Sequence, residues 1–252
     1  MVRALQMDGL YQQTLKNMEQ TLHIFESRVP PPEFQKMGKW SVFRYKEKNI
    51  HQALIQKLAR VVSGLHAARL LLANGFVQEL AALQRMLDEF NEDITFLATG
   101  VINGDMTDSH QKYLDNFYQE EFGEDGKPLA TSEPRPMVPR KKIRAYLARL
   151  KGPQVSESKQ IETTTVLSKV YSGFVHGASP QIMDMYGGDP PRFAVSGMLG
   201  TPRIIHHSHD LWNYFYRGIL SFAVVAKAFG DDDMCNEIRK YRDHFESVPR
   251  RR

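Results

Sequence analysis

The chain has 252 residues, 42% hydrophobic and 25% charged, which excludes a disordered or fibrous protein and is enough for a substantial buried core. A net charge of +4 and a pI near 9.0 allow an acidic partner such as nucleic acid without demanding one. The lone cysteine, Cys235, excludes an intramolecular disulfide, and the N-terminal residues lack the apolar stretch of a secretory signal, so a cytoplasmic setting is expected.

From Arg3 to Arg28, Leu10, Thr14, Met18, Leu22 and Phe25 recur at helical spacing and predict an amphipathic helix stopped by Pro30, Pro31 and Pro32. Glu33 to Asn49 mixes Trp40, Phe43 and Tyr45 with lysine and arginine, shows no clear period, and reads as a packed connector. Two strongly periodic segments follow. Leu54, Leu58, Val61, Leu65, Ala68 and Leu72 form one apolar stripe, and Phe76, Leu80, Leu83, Leu87, Phe90, Ile94 and Leu97 form another. Asn74 and Gly75 between them suit the left-handed residue that ends a helix, so an antiparallel helical hairpin is predicted.

Asp105 to Phe122 reads as a shorter acidic helix capped by Thr107 or Asp108, and Gly123 to Pro139 as a flexible loop. Charge then changes sign. Arg140, Lys141, Lys142, Arg144 and Arg149 surround Ile143, Tyr146, Leu147 and Leu150 in a basic amphipathic helix. A helix from Ser156 to His176 buries Leu167, Val170 and Phe174 on one side. Val170 to Arg203 leads into a long glycine- and proline-rich loop, of a length that is often functional. Thr201 to Phe229 is apolar nearly all round, as a central helix is; Arg217 and Lys227 interrupt it too often for a membrane span. Asp231, Asp232 and Asp233 cap a last helix carrying Met234, Ile238, Tyr241 and Phe245, and Arg192 to Val195 is the only plausible strand. The expected fold class is all-α: a single helical domain over 1–252 with its core in about 50–100 and 156–247, and 101–155 as an insertion.

Chemistry-bearing residues gather on two helices. Glu162, Thr165, Lys169, Ser172 and His176 share one face, opposite the apolar one. His176, at the helix end and on the floor of a pocket roofed by the loop, would act as acid or base near neutral pH, with Lys169 or Ser172 as its neighbour. Arg85 and Glu89 lie one turn apart, outside the apolar stripe but beside Ala81 and Phe96, so their face is expected to be partly buried and in need of a partner. The basic helix offers Arg140, Lys141, Lys142 and Arg144 to phosphates. The glycines of Met185 to Pro191 lack the spacing of a phosphate-binding loop and follow no strand, so no cofactor is expected.

Lys169-Val-Tyr-Ser-Gly-Phe-Val-His176, together with Leu83-Gln-Arg85-Met-Leu-Asp-Glu89, resembles the HEPN-like helical superfamily, and within it an uncharacterised bacterial branch with an Arg/Glu helix facing a helix that ends in His. The similarity covers roughly Ile50 to Leu97 and Lys159 to Phe229. It implies a helical bundle that pairs as a homodimer. It also implies an RNA-directed protein of bacterial stress or defence type that cleaves RNA without metal through His176, with Lys169, Ser172, Arg85 and Glu89 around it. Lys169 stands where the family's motif has Arg. Two other readings stay open. One is a non-catalytic interaction or dimerisation module. The other is a metal-dependent hydrolase using His206, His209 and Asp210, whose spacings of three and four place them on one helical face.

Overall fold

The computed structural model describes residues 2–123, 125, 127, 137–150 and 170–248, with side chains from Met7 onward. The chain is mostly helical. In order, its elements are α1 (Val2–Glu26), a hairpin of β1 (Glu33–Met37) and β2 (Trp40–Arg44), α2 (Ile50–Ala73), α3 (Val77–Ile102), α4 (Asp108–Phe117) and α5 (Arg140–Leu150). They continue with α6 (170–175), α7 (Ser179–Met183), the two-residue strands β3 (Tyr186–Gly187) and β4 (Arg192–Phe193), α8 (Arg203–Ala228) and α9 (Asp232–Ser247).

The antiparallel hairpin of α2 and α3 is the frame. Asn49 caps α2 through a reciprocal box in which its side chain accepts from the Gln52 amide and the Gln52 side chain accepts from the Asn49 amide. Gly75, at φ +75, turns the chain between the helices. α3 packs most extensively on α8 and α2, while α1 packs on α2 and α8, and α9 on α8. Leu54, Leu58, Leu65, Leu80, Leu87, Leu97 and Phe215 are wholly or almost wholly inaccessible, each side chain worth about 1.5–3 kcal/mol by burial. Small residues set the close approaches. A Cβ at Gly218 of α8 would lie 3.0 Å from the Met18 methyl and 3.1 Å from a Leu65 methyl, so α1, α2 and α8 meet where glycine gives way. Asp231 caps α9 by accepting from the Met234 amide at 2.8 Å.

Two expectations are corrected. Glu33 to Asn49 is not a packed connector: 33–44 form an antiparallel hairpin with Phe34 opposite Phe43, and its aromatic side chains stand in solvent. Arg192 to Val195 is not the only strand, because Arg192 and Phe193 pair with Tyr186 and Gly187. Helical periodicity carries no signal for such short ribbons. The predicted helix Ser156 to His176 lies outside the described residues as far as Lys169, as does most of the 123–139 loop. Among the described residues no helix is long and apolar enough to cross a membrane.

Candidate functional site

Helix α3 carries acids on two faces, and each organises a network. On the first, the Asp93 side chain is 1% exposed and accepts from Lys57 Nζ of α2 at 2.8 Å and from the Tyr113 hydroxyl of α4 at 2.6 Å. Arg140 of α5 grips the same carboxylate with both terminal nitrogens, so one acid ties four helices together. Lys57 also lies within 5.1–5.6 Å of the Phe90, Tyr113 and Phe117 ring centres, which offset part of the cost of its burial. Burial, and then the charge of Asp93, pushes the Tyr113 hydroxyl pKa far up, so it stays a proton donor. One turn away, Arg144 Nε donates to Glu92 at 3.0 Å, and Arg85 pairs with Glu89 at 2.6 Å.

The second face looks toward α8. Asp88 pairs with Arg217, and the buried Tyr214 phenol lies near the same carboxylate. Tyr171 of α6 donates to the Asp210 carboxylate at 3.4 Å and lies near Tyr214. Burial, reinforced by the neighbouring carboxylates, raises the pKa values of both phenols. Ser221 donates to Asn91 at 2.6 Å, and Asn91 in turn donates to the Leu87 carbonyl. Gln84, fully buried one turn before Asp88, has among the described residues no hydrogen-bond partner for either side-chain amide atom. His207 is held below the ordinary histidine pKa by burial, and it meets the Phe174 ring edge-on at 6.3 Å.

His176 lies just past α6, its amide bonded to the Ser172 carbonyl at 3.0 Å, and Gly177 at φ +62 turns the chain away. The loop beyond is ordered and pinned at two points: Gln78 of α3 donates to the Gln181 carbonyl at 2.7 Å, and the Met198 amide donates to the Gly75 carbonyl at 2.8 Å. His176 is exposed instead of lying on a pocket floor, because the loop folds onto the α2–α3 turn and not over the imidazole. Among the described residues no hydrogen bond or ion pair joins His176 to Arg85 or Glu89. Those two pair with each other, with Arg140 adding a contact to Glu89 at 3.6 Å. Ala81 and Phe96 are buried, as the reading of that face required. Lys169 lies outside the described residues.

The basic helix is corrected in part. Arg140 and Arg144 turn inward onto Asp93 and Glu92, and Arg144 is 9% exposed, so these two hold α5 on α3 and do not meet phosphates. Lys141 and Lys142 do face solvent. The histidine cluster is divided: His209 lines a 360 Å³ cavity between α1, α2 and α8, His206 is exposed, and Asp210 accepts from Tyr171. Among the described residues no group of three His, Cys, Asp or Glu is placed to hold a metal ion. The Asp88, Tyr214, Arg217 and Tyr171 network escaped the sequence reading because its members come from three helices and α8 looked apolar all round. The one available signal was the spacing of Asp210, Tyr214, Arg217 and Ser221 along a single line of α8.

The fold and these networks define the class, a mostly helical protein braced by buried charge pairs with an exposed helix-terminal histidine. Comparison with protein-family models, curated proteins and solved structures gives no match.

Proposed function

We propose that this chain is an RNA-directed protein of HEPN-like type, acting in bacterial stress or defence, in which His176 supplies metal-independent acid–base chemistry to RNA. The observation that carries this reading is the setting of His176, an exposed imidazole at the end of α6, beside an ordered loop fixed to the α2–α3 hairpin by one backbone hydrogen bond and one from the Gln78 side chain. An imidazole held on such a frame is accessible to a substrate's ribose and can give or take a proton there. Exposed Lys141 and Lys142 support a polyanionic substrate.

Cleavage of a mixed RNA pool in excess chelator tests this. Wild type should cleave, and His176→Ala, shown by circular dichroism and thermal melting to be folded, should not. Equal cleavage by both proteins, or loss of all cleavage on chelation, sinks the reading. The non-catalytic interaction module is favoured by the pairing of Arg85 and Arg140 with Glu89, which turns these charges onto one another. It is the conclusion if neither protein cleaves.

A further inference from the structure

The hairpin of β1 and β2 spends three aromatic residues on no core. Phe34 is 66% exposed, Trp40 73% and Phe43 63%, although burying such side chains is the strongest stabilisation a two-stranded ribbon could obtain. Phe34 and Phe43 are cross-strand partners whose rings lie 5.0 Å apart, inclined at 55°, and Lys36 projects from the same face. Trp40 stands on the opposite face at the turn, next to Lys39. Five cations against two acids fall between Glu33 and Lys48. Arg44 is spent on Glu120, which it grips at 2.5 and 3.1 Å to tie the ribbon to the segment after α4, and Lys46 faces Glu33 at 3.7 Å. Lys36, Lys39 and Lys48 are exposed and have no ion-pair partner among the described residues.

Beside Phe43 the surface opens into a 470 Å³ cavity walled by Tyr45, Phe117, Tyr118 and Phe122, with Lys48 at its edge. Glu120 and Glu121 also line it. Acids on the wall disfavour a phosphate inside, whereas the aromatic walls suit the flat ring of a base. Exposed aromatics interleaved with unpaired lysines are the makings of a single-strand nucleic-acid surface, where bases stack and the backbone runs along the cations. A protein partner is the poorer fit, because lysine is depleted at the cores of protein interfaces.

We infer that the β1–β2 hairpin and the cavity beside it bind single-stranded RNA: bases stack on Phe34 and Phe43, one base enters the cavity, and Lys36, Lys39 and Lys48 hold phosphates. This inference rests on the RNA-directed reading and names the substrate as unpaired RNA. At 5.0 Å the two phenylalanine rings leave no slot for a base between them, so stacking takes place on their outer faces. Trp40 is a built-in reporter, since the other tryptophan, Trp212, is buried in the core.

The test is titration of the full chain with a labelled single-stranded RNA of roughly 12 nucleotides, read by anisotropy and by Trp40 fluorescence. Wild type should bind with Trp40 quenching, and more tightly than it binds a duplex of the same length. Phe34→Ala with Phe43→Ala should weaken binding roughly tenfold or more. The slope of log affinity against log salt should shrink by about 0.7 for each of Lys36→Gln and Lys39→Gln. These side chains are exposed, so the variants are expected to fold, and the lysine pair tests the surface without touching its aromatics. If wild type binds and all the hairpin variants bind equally well, the hairpin assignment falls while the RNA reading stands. Absence of binding by wild type removes both. If the aromatic variants instead abolish self-association in sedimentation and leave RNA affinity unchanged, the face is an interface between copies and the inference is overturned.

Discussion

The ammonium of Lys57 lies 2.8 Å from a carboxylate oxygen of Asp93, joining α2 to α3 at a point where the two side chains are only 13% and 1% exposed. Because Tyr113 and Arg140 converge on the same carboxylate, α4 and α5 are fastened to the hairpin through one acid.

Asp93→Asn tests how far the bundle depends on this junction. The substitution keeps size and shape but leaves Lys57 buried against a neutral amide and Arg140 with only the more distant Glu89 and Glu92. Stranding a buried charge costs about 3–5 kcal/mol. Urea denaturation should therefore give a loss of that order, and Lys57→Met introduced beside Asp93→Asn should restore part of it. A loss below about 1 kcal/mol would mean that the network behaves as a solvent-screened surface cluster.

His110 sets a pH dependence. Burial depresses its folded pKa, only partly opposed by the Phe96 carbonyl and by Asp105. The ring is stacked on Phe96 at 4.0 Å, its Nε2 is 3.1 Å from the Phe96 carbonyl, and its Nδ1 is 3.1 Å from the Thr107 amide. The tautomer that satisfies both contacts is neutral, donating from Nε2 and accepting at Nδ1. A depressed folded pKa means that the unfolded chain binds the proton more readily, so stability rises with pH. The contribution is fully present above the unfolded histidine range and is lost as pH falls below it toward the folded value. His207, also depressed by burial, acts in the same direction. Unfolding free energies measured between pH 8 and pH 5 should fall for wild type and fall less steeply for His110→Gln. Parallel slopes for the two proteins would contradict the assignment.

What the sequence disclosed follows from period. The α2–α3 hairpin and the Asp231 cap were legible because an apolar stripe at helical spacing and a capping side chain are local signals. Arg140 and Arg144 read as phosphate-binding residues because the acids that claim them, Asp93 and Glu92, lie about fifty residues upstream, and spacing says nothing of such pairs. The hairpin at 33–44 was missed because strands of five residues with exposed phenylalanines show neither the alternation nor the burial that usually marks a sheet. His176 and the Arg85–Glu89 pair were both noticed, but that no hydrogen bond or ion pair joins them among the described residues is a fact of tertiary packing.

Gln84 predicts a stabilising change. Its amide is fully buried, and among the described residues neither its oxygen nor its nitrogen has a partner. Desolvating an unpaired amide costs about 1–3 kcal/mol. Gln84→Leu, of similar size, should therefore raise stability by about 1 kcal/mol in urea titration and raise the melting temperature accordingly. Destabilisation by a similar amount would show that the amide is satisfied in solution and belongs functionally to the Asp88, Tyr214 and Arg217 seam.

Gly197 holds the long loop against the hairpin turn. Its φ is +105, and a Cβ there would sit 2.3 Å from the Asn74 carbonyl oxygen, a contact with backbone that no rotamer can relieve. Gly197→Ala should therefore lift the loop off Gly75 and break the bond from the Met198 amide to the Gly75 carbonyl. The opening is local, so global stability should change little while amide exchange at Met198 quickens by roughly tenfold or more. Gly187→Ala is the matched control, since its added Cβ meets nothing within 4 Å and its backbone is not in the left-handed region. If the docked loop is what frames His176 for RNA, Gly197→Ala should lower RNA cleavage with the imidazole intact and Gly187→Ala should not. Unchanged exchange at Met198 in Gly197→Ala would mean that the Asn74 turn yields to the added methyl, and that the loop is held by the Gln78–Gln181 bond instead.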